Sequence, residues 1–385
     1  MSVDHVVVGA AAKRPVAQRV GFYASASLKG LQPGDVLLYH GCDAFARCIQ
    51  HFDATPYFHA ALLVEQGVVA ESVMAGGVGT RPLAETFRRR EWATVRRYRA
   101  ELLPPRAEKA GVHPVVAQAR AMVRTSPRYD YEQLLPLALL LLTRKVPQTA
   151  SFGRVVVGLL ERLNSQLRSA RKKSDGSQAA AWVCSKFVAE CYAGAGTADP
   201  AGGPYALQLR PAADAASAKG AATLLAEVRH AVETEAGHSD ARGVAPSGAP
   251  PSEPELEILV TAYLDEVRGR APLQRTALRG AEVDPRRLHS AVAAFAALLA
   301  EQAAGESLAT RGRLGAQGGA AALAWLTAYA GRLVTPGDLG RSPSLEDVGM
   351  LRPAGGVTAA KGRDVPAARS RAHVAATRGR AVARR

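Results

Sequence analysis

Among the four cysteines and nine histidines of this chain, Cys184 and His59 have the sequence surroundings that nucleophilic catalysis needs. Cys184 begins a predicted helix, directly after the apolar pair Trp182-Val183. The positive end of the helix dipole and the unsatisfied N–H groups of the first turn favour a thiolate there, and the same N–H groups can receive an oxyanion. Cys191 lies two turns deeper, where we expect a buried, inert thiol. His59 opens a predicted strand and is the candidate base for Cys184.

Glu71 is the candidate third group, which would hold the imidazole of His59 in the required tautomer. The sequence from His59 to Glu71 predicts a hairpin around Glu65-Gln66-Gly67. A three-residue loop with Gly67 in the left-handed conformation places Glu71 on the same face as His59, because side chains alternate with period two. A two-residue turn places the two side chains on opposite faces. The pattern alone leaves both arrangements open.

Each of these residues has an ordinary structural explanation when it is taken alone. A cysteine on an apolar helix is usually a small core residue, and a glutamate on a strand usually faces solvent. Their joint occurrence, with a cysteine at a helix start and a histidine and a glutamate on one hairpin, favours a catalytic arrangement.

The elements that must position these residues come from local patterns in the first half of the chain. Apolar alternation and turn signals predict strands near residues 36–38, 59–64, 68–73 and 93–98, and three-to-four spacing predicts helices at 43–52, within 113–170 and at 182–192. The Gly-rich stretch 76–79 lacks the Lys-Ser/Thr of a phosphate loop, so we interpret it as a flexible edge of a pocket.

The composition divides the rest of the chain into further segments. Residues 1–210 form the predicted catalytic domain, and residues 211–333 form an Ala/Pro-rich linker and helical insertion with helices near 256–268, 286–302 and 318–332. Residues 334–352 have turn signals and an apolar run that would close the catalytic domain. Residues 353–385 are predicted to be a disordered basic tail.

The number of cysteines and the hydropathy of the chain indicate the cellular compartment of the protein. Four cysteines among 385 residues, without a CxxC pair, favour thiol chemistry in a reducing compartment over a disulfide framework or a structural zinc site. The longest apolar run, Leu134 to Leu142, is nine residues long and too short to span a bilayer. It predicts a buried core helix, although it could also line an acyl pocket or touch a membrane surface. With no signal peptide in view, we expect a cytoplasmic protein.

The net charge of +15 is concentrated partly at the end of the chain, where residues 361–385 carry eight Lys/Arg and one Asp. One interpretation is that this tail attracts an anionic polymer or a membrane surface. The alternative is that it serves only to keep the protein in solution. A second basic cluster contains Arg88-Arg89-Arg90, Arg96-Arg97 and Arg99. Few aromatic residues are interleaved with it, so no specific nucleic-acid recognition is predicted.

Several of these motifs together resemble the permuted papain-fold cysteine hydrolases of the NlpC superfamily, in particular its YiiX-like branch and the lecithin retinol acyltransferase-type relatives. The motifs are PGDVLLY (33–39), ATPYFHAALLVEQGVVAESVMAGGVGTRPL (54–83), VRRY (95–98), RYDY (128–131) and VCSKFVAECYAGAG (183–196). The resemblance implies an α+β fold in which a circularly permuted, papain-like antiparallel sheet packs on helices, here with a helical insertion. The order of His59 before Cys184 is the order expected in that family.

The resemblance also implies residue roles and a bacterial thiol hydrolase. The nucleophile falls on Cys184, the histidine on His59, the acidic residue on Glu71 and an auxiliary helix tyrosine on Tyr192. The expected reaction is hydrolysis of an amide bond through a thioester, in cell-wall-type peptides, with no metal or cofactor. A lipid or ester acyltransferase or thioesterase acting on an acyl-containing substrate is a second hypothesis, and a non-catalytic scaffold with a basic tail is a third.

Overall fold

The fold is described from a computed structural model. The residues that it describes are 21–24, 30–73, 77–88, 90–103, 113–125, 134–149, 151–173, 183–196, 204–209, 223–235, 250–270, 283–303, 321–330 and 333–354. The proposed basic tail from residue 355 onward, the RYDY motif and most of the predicted linker (236–249) lie outside these residues.

The described residues form seven strands and eleven α-helices. The strands are β1 (Gly21–Ala24), β2 (Val36–His40), β3 (His59–Glu65), β4 (Val68–Val73), β5 (Gly77–Pro82), β6 (Trp92–Tyr98) and β7 (Leu345–Ala354). The helices are α1 (Ala44–Phe52), α2 (Leu83–Thr86), α3 (Pro114–Thr125), α4 (Leu134–Thr143), α5 (Phe152–Lys173), α6 (Cys184–Ala193), α7 (Leu224–Glu235), α8 (Glu253–Val267), α9 (Pro285–Ala303), α10 (321–330) and α11 (Pro336–Arg341).

All seven strands belong to one antiparallel sheet with the order β1-β7-β6-β2-β3-β4-β5. The α+β class predicted from the sequence is therefore confirmed. The closing segment returns to this sheet, because β7 pairs with β6 on one side and with β1 on the other. Residues 353 and 354 are still paired in β7, although the sequence predicts that the tail begins at residue 353. The predicted flexible edge at 76–79 is wrong for residues 77–79, which begin strand β5.

Helices cover both faces of the sheet. Alternate residues of β2 and β3 enter two separate apolar clusters, as the period of a strand requires. The first cluster contains Leu37, Tyr39 and Ala61 with helices α1, α4, α5 and α7–α10, and the second contains Leu38 and Ala60 with α3 and α6. Strands buried on both faces appear in a sequence as continuous apolar runs, which explains the run HAALLV at the start of β3.

The helical insertion completes the first cluster. Helices α8, α9 and α10 contribute the buried side chains Tyr263, Phe295 and Leu326 to the same core as the sheet. Helix α7 was not predicted, because the Ala/Gly/Pro-rich composition around it suggested a linker. Helix α8 begins at Glu253, three residues before the predicted start, because Ser252 forms a capping box there.

The Leu-rich helix α4 lies inside this first cluster. Its residues from Leu134 to Leu142 are buried on every side, as the core interpretation predicted. Within the described residues, no helix has the length and hydropathy needed to cross a membrane.

A buried carboxylate attaches the closing segment to the C-terminal end of α1. Asp53 accepts hydrogen bonds from the Thr335 hydroxyl at 2.7 Å and from the Gly337 N–H at 2.8 Å. Burial raises the pKa of Asp53 to about 6, although both hydrogen bonds and the nearby Arg341 oppose the rise. A Cβ atom at Gly337 would lie 2.7 Å from Asp53 Oδ2, so only glycine allows this approach.

We expect Asp53→Ala to destabilise the fold by about 2–4 kcal/mol, since it leaves buried donors without an acceptor. Chemical denaturation of both proteins measures the difference in the free energy of unfolding. Glu257→Ala on the exposed face of α8 is the matched control and should change this free energy by less than about 0.5 kcal/mol. Equal stabilities for Asp53→Ala and Glu257→Ala would contradict a role for Asp53 in holding the closing segment.

Candidate active site

The β3–β4 hairpin has a register that places His59 and Glu71 on one face. Leu62 pairs with Ala70, and continuing this register by one residue sets Ala61 opposite Glu71, as predicted. The turn itself differs from the prediction, because a bulge shifts the pairing to Glu65 opposite Val68 and leaves only two residues in the loop. The bulge inserts the extra residue that keeps the rest of the hairpin in the predicted register.

Gly67 supplies the backbone conformation that this turn needs. Its φ angle is +73°, in the left-handed region that favours glycine. The sequence predicts this conformation for Gly67, although within a loop of a different length.

His59 and Glu71 are in direct contact. His59 Nε2 lies 2.8 Å from Glu71 Oε2, and each side chain is only 1% exposed. Burial alone would raise the pKa of Glu71, but the Arg90 guanidinium and the His59 ring together lower it to about 2. The Glu71 side chain is therefore a carboxylate at neutral pH and accepts the hydrogen bond from Nε2–H.

Two arginines complete the surroundings of the Glu71 carboxylate. Arg90 donates from Nη1 to Oε2 at 3.0 Å, and Arg81 Nε lies 3.5 Å from Oε1. The Arg90 guanidinium also lies 4.3 Å from the centroid of the Tyr39 ring. Arg90 was missed in the sequence, where nothing distinguishes it from the neighbouring arginines of a basic run.

Cys184 is the first residue of α6, which begins two residues after the predicted start at 182. Its side chain is 2% exposed and lies in the first apolar cluster, whereas Phe187 and Val188 of the same helix lie in the second. The thiol is therefore at the tip of the helix, on the side of the sheet that also carries His59.

The beginning of α6 is attached to the closing segment. The Ser185 hydroxyl donates to the Val334 carbonyl at 2.6 Å. A few residues later, a Cβ atom at Gly340 would lie only 2.8 Å from the ring of Tyr57. Since Tyr57 comes two residues before His59, these contacts bring the first turn of α6 toward the start of β3.

The other end of α6 is attached to the opposite end of the same strands. The Tyr192 hydroxyl donates to the Gly34 carbonyl at 2.5 Å, and the Gly34 N–H donates to the Leu63 carbonyl at 2.7 Å. Eight residues of helix, from Tyr192 back to Cys184, cover about 12 Å. Four residues of strand, from Leu63 back to His59, cover about 13 Å. Because α6 packs on β3 and β4 and its first turn is attached to the segment that contacts Tyr57, we infer that Cys184 lies toward the end of the sheet where β3 begins with His59.

Tyr192 does not join this group of residues. It is fully buried in the second cluster and stacks on Tyr98 with ring centroids 5.6 Å apart. Burial raises its pKa, and its hydroxyl is bonded to Gly34. These contacts explain Tyr192 by packing and give no support to the auxiliary role suggested for it.

The other thiols have surroundings that suppress their ionisation. Burial raises the pKa of Cys48 and of Cys191, and the nearby Glu190 raises that of Cys191 further. Cys42 is exposed, and partial burial together with nearby Glu91 also raises its pKa. Cys191 thus has the inert environment that the sequence predicted.

Most of the second basic cluster binds its own chain. Arg97 forms an ion pair with the buried Asp35 at 2.7 Å. Arg96 donates to the Leu345 carbonyl at 2.6 Å and Arg99 to the Pro343 carbonyl at 2.8 Å. Arg96 and Arg99 thus hold the closing segment and Arg97 holds the segment before β2, so these arginines offer little support for a surface that binds an anionic partner.

No protein-family model and no curated protein sequence matches this chain. Among the residues with described positions, no cluster of three or more His, Cys, Asp or Glu side chains is arranged to hold a metal ion. The candidate active site is therefore described from the geometry of its own residues.

We expect Tyr192→Phe to lower the free energy of unfolding by about 1 kcal/mol, because it removes the hydrogen bond to Gly34. The same variant should leave the rate of Cys184 alkylation unchanged, because the bond from Ser185 to the Val334 carbonyl still fixes the first turn of α6. Chemical denaturation and site-resolved mass spectrometry measure the two effects. A large loss of Cys184 reactivity in a stable Tyr192→Phe protein would instead assign this tyrosine to the site.

Proposed function

We propose that this chain is a cysteine hydrolase that cleaves an amide bond through a thioester on Cys184. The observation that carries the proposal is the buried 2.8 Å contact between His59 and Glu71, at the end of the sheet where α6 begins with Cys184. The resemblance to permuted papain-fold hydrolases of the NlpC superfamily supports it, since the same three residues match that family's motifs.

The hydrogen bond to Glu71 determines which nitrogen of His59 acts on the thiol. Because Nε2 is bonded to the carboxylate, the proton of the Cys184 thiol passes to Nδ1. The sulfur then forms a bond to the carbonyl carbon of the substrate, and the carbonyl π electrons move to oxygen. Glu71 stabilises the imidazolium that results and holds its orientation.

The first turn of α6 offers donors for the oxyanion of this intermediate. The N-cap residue Val183 has an extended backbone and an apolar side chain that cannot cap the helix. The N–H groups at the start of α6, beginning with that of Cys184, are therefore suited to bind the oxyanion.

Collapse of the intermediate completes acylation. The bond from carbon to the leaving nitrogen breaks, and this nitrogen takes the proton from Nδ1 of His59. Water then attacks the thioester while Nδ1 accepts a proton from it. The Cys184–carbon bond breaks, and the proton on Nδ1 restores the thiol and releases the carboxylic acid.

The acyltransferase and scaffold hypotheses receive less support from the described residues. The Leu-rich helix α4, which could have lined an acyl pocket, is buried among other helices. The scaffold hypothesis relied on the basic cluster and on the basic tail. Arg96, Arg97 and Arg99 of the cluster bind their own chain, and the tail from residue 355 onward lies outside the described residues.

Alkylation by iodoacetamide at about pH 6 tests the proposal, because an ordinary thiol is less than about 1% ionised there. We expect Cys184 to react at least about tenfold faster than the exposed Cys42, while Cys48 and Cys191 stay unmodified. Mass spectrometry of proteolytic peptides measures each rate. In His59→Ala the preference for Cys184 should disappear, because the thiolate loses its imidazolium partner.

Turnover provides the second part of the same test. Purified protein is screened against peptide amides and acyl esters, with Cys184→Ala as the control protein. We expect Cys184→Ala to have no turnover above background and Glu71→Gln to retain a measurable fraction, since orientation is only part of the rate enhancement. Full activity of a folded Cys184→Ala protein would contradict the mechanism.

A further inference from the structure

A continuous chain of contacts runs outward from the His59 ring. Glu71 Oε2 contacts both His59 Nε2, at 2.8 Å, and Arg90 Nη1, at 3.0 Å. The Arg90 guanidinium lies over the Tyr39 ring, and the Tyr39 hydroxyl is 2.9 Å from the hydroxyl of Thr86. Tyr39 is also the residue that pairs with His59 between β2 and β3. Each member of the chain thus fixes the position of the next.

We propose that Arg90 is a positioning residue, which keeps Glu71 a hydrogen-bond acceptor and thereby keeps the ring proton of His59 on Nε2. This inference rests on the proposed function, in which Nδ1 of His59 takes the proton of Cys184. It assigns a mechanistic role to a residue that touches neither the thiol nor the reacting carbonyl.

The reason lies in the two protonation states of Glu71. As a carboxylate it accepts a hydrogen bond from Nε2–H, and the neutral imidazole then has its lone pair on Nδ1. As a carboxylic acid it would donate to Nε2, and the ring proton would move to Nδ1. An imidazole in that second tautomer cannot accept the thiol proton at Nδ1.

The charged and titratable groups that face Glu71 show why Arg90 controls this choice. Among the residues with described positions, they are His59 on β3, Arg81 on β5, Tyr39 on β2 and Arg90 before β6. Burial raises the pKa of the Glu71 carboxyl, and the charge of Arg90 is the largest influence that lowers it. Arg81 is less effective, because it lies 3.5 Å from the other oxygen and is 34% exposed, whereas Arg90 is 8% exposed.

Tyr39 holds Arg90 in the geometry that this role needs. A guanidinium stacked on an aromatic face keeps its plane fixed and gains cation–π attraction. Lysine would keep the positive charge but lose the planar stacking and the fixed direction of the N–H donor. A role in positioning therefore predicts different effects of methionine and lysine at this position.

The test is the pH dependence of Cys184 alkylation by iodoacetamide, measured by site-resolved mass spectrometry in the full-length protein. In Arg90→Met we expect the acid limb of the profile, where the rate falls with decreasing pH, to move up by about one pH unit or more. Arg90→Lys should restore most of the wild-type limb. Arg88→Met, two residues away and exposed, is the matched control and should leave the limb unchanged.

An acid limb in folded Arg90→Met identical to that of the wild type overturns the positioning role. A lower rate at every pH without movement of the limb also overturns it, because that pattern indicates only a structural contribution. If Arg90→Met does not fold, Tyr39→Leu removes the ring beneath Arg90 and keeps both charges. We then expect a smaller upward movement of the limb, and an unmoved limb overturns the proposal.

Failure of the proposed function gives a different result. In that case Cys184 of the wild-type protein reacts no faster than Cys42, and His59→Ala leaves its rate unchanged. Thermal unfolding of every variant, followed by circular dichroism, identifies any change that comes from loss of the fold.

Discussion

The burial of the Glu71 carboxylate is the constraint on which the site depends. An isolated buried charge costs several kcal/mol, so it persists only where partners surround it. Here the partners come from three different places in the sequence: His59 from the paired strand, Arg81 from the next strand and Arg90 from the segment before β6. The hairpin register and the short helix α2 are the means by which these groups converge.

The rest of the fold fixes the position of the N-terminal tip of α6. Helix α6 is held at both ends, by Ser185 on the closing segment and by Tyr192 on Gly34. The closing segment is itself held by the carboxylate of Asp53 and by its pairing in the sheet. The inserted helices fill the apolar cluster that contains Cys184. The position of one thiol thus depends on contacts between residues nearly 300 positions apart, such as Asp53 and Gly337.

Local chemistry explains what could be predicted from the sequence. The helix start at Cys184 and the shared face of His59 and Glu71 follow from periodicity and from one glycine turn, which act over a few residues. The bulge at Glu65 was not predicted, although a left-handed glycine at the end of a hairpin loop, here Gly67, is typical of such a bulge. Arg90 could not be separated from Arg88, since its burial depends on Tyr39 and Glu71, which are distant in the sequence. Strand β5 was not predicted because it contains two glycines, and its stability comes from its pairing with β4.

The central claim of the proposed function is that the His59 ring accepts the proton of the Cys184 thiol. Nitrogen-15 NMR of the imidazoles tests it without a substrate, with His59→Gln used to assign the His59 signals among the nine histidines. A neighbouring thiolate stabilises the imidazolium, and a serine hydroxyl does not ionise in its place. The account predicts that the titration midpoint of His59 is lower in Cys184→Ser than in the wild type. Identical midpoints in the two proteins would contradict it.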